Sequence, residues 1–288
     1  MPSSRAVLVI GMHRSGTSAL ARGMQMLGVY LGDNFLSPRP DNPTGYWEDR
    51  YICELNERLL AALGLRWEDV ALIDDSRWHD AEIEALLDEA IEYLKSKFVS
   101  HALWGFKDPR TIRLLPFWQS ALRRLEVSAC YLVVIRNPRS IALSLRERQG
   151  MDEITAHFLW LVYMVPYFGK LADKPFIVAD YDMVMADPGP QLERIACGLK
   201  IPLNESCKAG IEQFASEFLD PKLRHSFFKD SDFDTNPKLR PLSRESYLWL
   251  RRMAEDRIAG DLTGFWTAWE RSRQTLKGLV AGASESLG

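Results

Sequence analysis

Residues 11–20 read GMHRSGTSAL, and this stretch decides the fold. Gly11 and Gly16 have the spacing of a phosphate-binding loop of the form GxxxxGK[ST], and Ser18 stands where the loop's hydroxyl belongs. The lysine position is held by Thr17, and the positive charge has moved forward to Arg14. A short apolar run, residues 6–10 (AVLVI), precedes the loop and suits a strand buried on both faces. Residues 18–27 (SALARGMQML) follow it with apolar residues at helical spacing. Strand, Gly loop and helix is the context in which backbone N–H groups and a helix N-terminus hold an anion.

Working outward, the loop is followed by a Gly-, Pro- and Asn-rich stretch at 32–45, long enough to be a functional lid. Helices are expected over 46–63 and 80–98; in the second, Ile83, Leu86, Leu87, Ile91, Leu94 and Phe98 share one face. Residues 102–106 read as a strand running into Lys107-Asp108-Pro109-Arg110, and 111–125 as a helix limited or kinked by Pro116. Residues 131–135 (YLVVI) form another apolar strand, ending at Arg136-Asn137-Pro138, where a helix opens with proline near its first turn. Further helices are expected at 151–171, 188–198, 243–258 and 262–276, and a strand at 176–179. Strands alternating with helices predict an α/β fold of P-loop type: three layers, a central parallel sheet flanked by helices, and a helical C-terminal region. The chain reads as one domain, with an α/β core over about 6–225 and a helical extension over about 226–288.

Composition narrows the function classes. The chain has 288 residues, a formal charge of −3 and 26% charged residues, without the basic excess of a general nucleic-acid binder. Cys53, Cys130, Cys197 and Cys207 form no CxxC pair and have no His at ligand spacing, which suggests free thiols, a reducing cytoplasmic setting and no metal site. The longest apolar stretch, 158–168, contains Pro166 and falls short of the ~20 residues a bilayer requires. Oligomeric state is not legible.

The chemistry-bearing residues lie just after strand ends, where open α/β sheets bind ligands. Arg14 and the hydroxyls of Ser15, Thr17 and Ser18 add donors to the Gly16 loop, and His13 is expected to line the same anion site. Arg136, at a strand end, and Ser144, eight residues on and two turns into the next helix, can converge on one phosphate. Without the Walker lysine, a kinase or NTPase is poorly supported.

Arg14-Ser15-Gly16-Thr17-Ser18, together with Arg136-Asn137-Pro138 and Ser144, resembles the two motifs of the sulfotransferases that use 3′-phosphoadenosine 5′-phosphosulfate (PAPS). FKDPRT at 106–111 is similar to a Lys-Asp-Pro element of tyrosylprotein and many bacterial members. YDMVMADP at 181–188, with Asp182 as its acid, and FLDPKLRH at 218–225 look like further segments of the family. The Gly-rich C-terminal stretch of the cytosolic small-molecule branch has no counterpart, which leaves the adenosine-side contacts open.

The resemblance implies in-line transfer of a sulfuryl group from PAPS to an acceptor hydroxyl, without a metal. It implies that residues 14–18 hold the 5′-phosphosulfate, that Arg136 and Ser144 hold the 3′-phosphate, and that Arg14 and Lys107 face the charge on the leaving oxygen. Surface pairing with Asp108 is the competing reading of Lys107. For the acceptor proton, related enzymes suggest Glu48, which would otherwise be an ordinary helix-end acid; Asp108 is the second choice. His101 and His157 receive no role. Trp47 is placed in the acceptor cleft, and a glycan, a lipid-linked sugar or a small molecule all remain open as acceptor. An inactive nucleotide-binding or scaffold protein of the same fold is the alternative.

Overall fold

A computed structural model of the chain describes residues 4–39, 42, 45–218, 240–258 and 262–285. Four parallel strands form one sheet: β1 (Arg5–Ile10), β2 (Leu103–Lys107), β3 (Ser128–Ile135) and β4 (Phe176–Asp180), in the order β2-β1-β3-β4. The first strand is central. Val7 pairs with Gly105 on one side and Cys130 on the other.

The unbroken apolar runs follow from helices on both faces of the sheet. Ala6, Leu8 and Ile10 join Tyr131, Val133 and Ile135 in one core, while Val7 and Val9 join Cys130, Leu132 and Val134 in the other. The second core is closed by α1 (Thr17–Met26), α8 (Pro188–Gly198) and α9 (Glu205–Gln213). The first, larger core takes α2 (Arg50–Ala62), α3 (Ala81–Lys97), α4 (Leu115–Arg124), α5 (Pro138–Gln149) and α6 (Glu153–Phe168). The result is the expected three-layer α/β fold of P-loop type.

The expected helix over 46–63 begins later, at Arg50. Asp49 is its N-cap and accepts a hydrogen bond from the Ile52 backbone N–H, so Glu48 lies outside the helix. The expected helix over 111–125 is two pieces, a 3₁₀ turn at Pro109–Ile112 and then α4. Pro116 does not kink α4 but sits in its first turn, where a missing N–H costs nothing. A short helix, α7 (Tyr181–Ala186), continues directly from β4; this helix and a 3₁₀ turn at Asp75–His79 were unforeseen.

α6 is buried nearly all round, which is why its sequence lacks a polar face. α10 (Arg240–Ala254) and α11 (Leu262–Glu285) pack onto the first core through Tyr247, Leu250, Phe265 and Trp269, and the Trp269 indole donates to the Val165 carbonyl at 3.0 Å. No helix among the described residues is long and apolar enough to cross a membrane. Residues 40, 41, 43 and 44 of the long loop, and 219–225 of the FLDPKLRH segment, lie outside the described residues.

Candidate functional site

All four strands deliver residues to one edge of the sheet. The Gly loop leaves β1, Lys107 ends β2, Arg136 follows β3, and Tyr181 follows β4. Parallel strands place their carboxyl ends together, so residues far apart in sequence share one crevice.

The loop is shaped by two residues of left-handed backbone, Arg14 (φ 67°) and Gly16 (φ 92°). Gly16 is obligatory on a second count: a Cβ there would lie 2.1 Å from the Tyr181 ring. The Ser15 hydroxyl is not directed outward as expected but donates to the Met12 carbonyl at 2.7 Å, closing the loop from within. Thr17 and Ser18 open α1, leaving the helix N-terminus facing the crevice.

Ser144, expected beside Arg136, takes its hydrogen bond from the loop instead: the Arg14 Nε donates to the Ser144 Oγ at 2.8 Å. Arg136 lies beside them, its Nη1 3.4 Å from the Arg14 carbonyl and its guanidinium 4.9 Å above the Tyr181 ring centre. Tyr181 thus packs on Gly16 and beneath Arg136, linking the two halves of the cationic site. Its place directly after a strand was the available signal.

Lys107 is buried, at 2% exposure. Its ammonium pairs with Glu48 Oε1 and donates to the Ser18 hydroxyl at 3.1 Å and the Tyr46 carbonyl at 3.2 Å. A surface pair with Asp108 is therefore not what this lysine makes. The other Glu48 oxygen, Oε2, accepts from the Cys53 thiol at 3.4 Å. Burial, with the Asp108 and Glu48 charges, pushes that thiol far up, so it stays protonated.

Asp108 is fully buried and caps the 3₁₀ turn through the Arg110 N–H at 2.8 Å, while the Arg110 guanidinium closes on its Oδ2 at 2.9 and 3.1 Å. Burial pushes the carboxyl up, but Arg110 outweighs this and holds it below the ordinary carboxylate value. Its oxygens are committed to this capping, and of the two acids it is Glu48 that borders the neighbouring cavity.

Beside the loop, Glu48 borders a cavity of about 550 Å³ whose wall includes His13, Cys53, Trp67, Arg110 and Arg148. Two expectations change here. The His13 ring does not sit with the phosphate donors; it packs on Trp67 at 4.4 Å and near Tyr163 at 5.8 Å, on the cavity side. Burial, reinforced by the Arg110 charge, lowers its pKa well below the usual imidazole value, so it is neutral. Trp47 is not on the wall; it packs against Phe35 at 5.5 Å with the Arg22 guanidinium 4.9 Å above it. Trp67, in the connection after α2, supplies the aromatic surface instead, and no periodicity marked it.

The described residues include one group able to offer three metal-ligand atoms, Glu48, Cys53 and Asp108, within 4.8 Å of one another. Both acids are already paired with cations, and the thiol is held protonated, so this donor set does not suit a resident ion.

No family model and no curated protein matches the chain. Among solved structures it is similar to a sulfotransferase of Mycobacterium tuberculosis H37Rv, at 16% identity over 85% of this chain and 76% of that one, with a TM-score of 0.47. It is similar to the sulfotransferase domain of the Synechococcus PCC 7002 olefin synthase, at 17% identity over 86% and 96%, with a TM-score of 0.48. It is also similar to a mouse sulfotransferase solved with PAP, at 15% identity over 93% and 89%, with a TM-score of 0.39.

Proposed function

We propose that this protein is a sulfotransferase that moves the sulfuryl group of PAPS to an acceptor hydroxyl. The observation that carries this reading is the meeting of Arg14, Ser144 and Arg136 beside a lysine-less phosphate loop, with Lys107 and Glu48 at its mouth. This continuous cationic site suits a nucleotide with phosphate at two ends, one offered to the loop and α1 N-terminus and the other to Arg136 and Ser144. A γ-phosphate with Mg²⁺ would call for the missing lysine.

In this reading the acceptor oxygen attacks sulfur and the bond from sulfur to the bridging oxygen breaks. The leaving group is adenosine 3′,5′-bisphosphate. Lys107 and Arg14 offer positive charge to the bridging oxygen as it gains charge. Glu48, bordering the cavity, takes the acceptor proton. Burial of Lys107 and Glu48 strengthens both effects, because the local dielectric is far below that of water. No step runs through a metal.

Titration calorimetry with adenosine 3′,5′-bisphosphate and with AMP tests this. The bisphosphate should bind more tightly, and equal affinity would sink the role of Arg136 and Ser144. The scaffold alternative is tested by release of the bisphosphate from PAPS with an acceptor present; Lys107 and Glu48 standing together in the crevice favour turnover.

A further inference from the structure

Pockets for small ligands are usually lined mostly by apolar side chains. The cavity beside Glu48 departs from this: its wall carries four arginines, Arg39, Arg50, Arg110 and Arg148. Arg110 is accounted for by Asp108 and by Glu57, 3.0 Å from its Nη1. Arg39 and Arg50 are exposed and have no ion-pair partner among the described residues. Glu54 is the one wall acid left after Glu48 has paired with Lys107 and Glu57 with Arg110. The rim is therefore net positive.

Arg148 has a local reason to be where it is, since a cation in the last turn of α5 complements the helix dipole. Arg50 has none. It is the first residue of α2, where the dipole opposes a positive charge, and that first turn holds no acid. Arg39, on the long loop before α2, lines the same cavity. Below the rim, Trp67 and Tyr46 offer ring surface, and Glu48 stands ready to receive a hydroxyl proton.

Resting on the sulfotransferase reading, we infer that the acceptor is a hydroxyl-rich sugar carrying a carboxylate or phosphate. Its anionic group is held at the rim by Arg39 and Arg50, and its reacting hydroxyl faces Glu48. The guanidinium fork suits both anions, since it gives two parallel hydrogen bonds to each. Sugar C–H faces pack on Trp67. A flat apolar alcohol would offer these rim arginines no anion to pair with.

The test is titration calorimetry on the full chain loaded with adenosine 3′,5′-bisphosphate. Methyl β-glucuronide, glucose 6-phosphate and methyl β-glucoside are compared at low and high salt. At least one anionic sugar should bind about tenfold or more tightly than the neutral one, the scale of one charge-assisted contact. Which of the two does so separates carboxylate from phosphate. The preference should shrink at high salt and vanish in the R39Q/R50Q double variant, with bisphosphate affinity unchanged. A glucoside that binds as well as both anionic sugars, a preference that survives in the double variant, or no sugar binding at all overturns the inference. Failure of the unmodified chain to bind the bisphosphate would instead strike the sulfotransferase reading itself.

Discussion

Lys107 and Glu48 stand 59 residues apart in sequence and form a buried ion pair at the mouth of the phosphate loop. Their contact joins the end of the edge strand β2 to the last residues of a long loop, so the pair exists only once the sheet and α2 are assembled. It also places a cation and a carboxylate beside each other next to the Ser18 hydroxyl of the loop.

Removing one partner leaves the other buried and uncompensated, which costs about 3–5 kcal/mol. Glu48→Gln should therefore lower the melting temperature and also lower kcat by about 10²–10⁴. Lys107→Ala should lower kcat by roughly 10²–10³. Bisphosphate affinity should change little in Glu48→Gln. The double variant E48Q/K107M, which removes both charges, should regain stability over E48Q without regaining turnover. Normal turnover in E48Q would leave Glu48 as a structural partner of Lys107 only.

On the proposed function, Arg136 is the residue expected to set nucleotide selectivity. Arg136→Ala should weaken bisphosphate binding by on the order of 1.5–3 kcal/mol while changing AMP binding much less. The two titrations, run on the same preparations, give the difference directly. An equal loss for both nucleotides would place Arg136 on the shared phosphate instead.

Asp180 gives the fold a pH dependence. It is fully buried at the end of β4, caps α7, and accepts from the Tyr247 hydroxyl of α10 at 3.0 Å. Burial raises its pKa to about 6, with the Arg251 charge opposing and Asp182 adding to the rise. Between its ordinary acid range and about pH 6 the folded chain holds this proton more firmly than the unfolded chain. The Asp180 contribution to stability therefore falls as pH rises through that window, by on the order of 2–3 kcal/mol, and is level above it. Denaturant titrations at pH 4.5 and pH 7 should show a smaller difference in Asp180→Asn than in the unmodified chain. An unchanged difference would mean that the carboxyl is ionised throughout.

Chelation should leave turnover unchanged, because Glu48 and Asp108 are already neutralised by Lys107 and Arg110. The measurement is bisphosphate release from PAPS before and after dialysis against a chelator. Loss of activity that Mg²⁺ restores would return the NTPase reading.

Much of the frame is local chemistry and was legible. Ala6–Ile10 and Tyr131–Ile135 had to be buried strands because nothing in them tolerates water. The Gly11–Gly16 spacing, with an apolar strand before it and helical spacing after it, marked an anion loop. That Arg136 and Ser144 would lie near the loop could be anticipated, since both follow a strand of the same sheet, but the direct bond of Ser144 to Arg14 could not. Side-chain direction was not written there. Whether Lys107 would pair with Asp108 beside it or with Glu48 far away depended on Arg110 folding back to claim Asp108. Glu48 looked like a helix-end acid because the boundary of α2 is set by Asp49 capping, a matter of one residue. Trp67 displaced Trp47, and His13 turned from the phosphates to the cavity, because ring packing is chosen by neighbours that distant segments supply. Periodicity and spacing therefore determined the strands, the helices and the anion loop. Only the packed sheet decided which charge meets which, because that depends on the separation of side chains in space and on their burial.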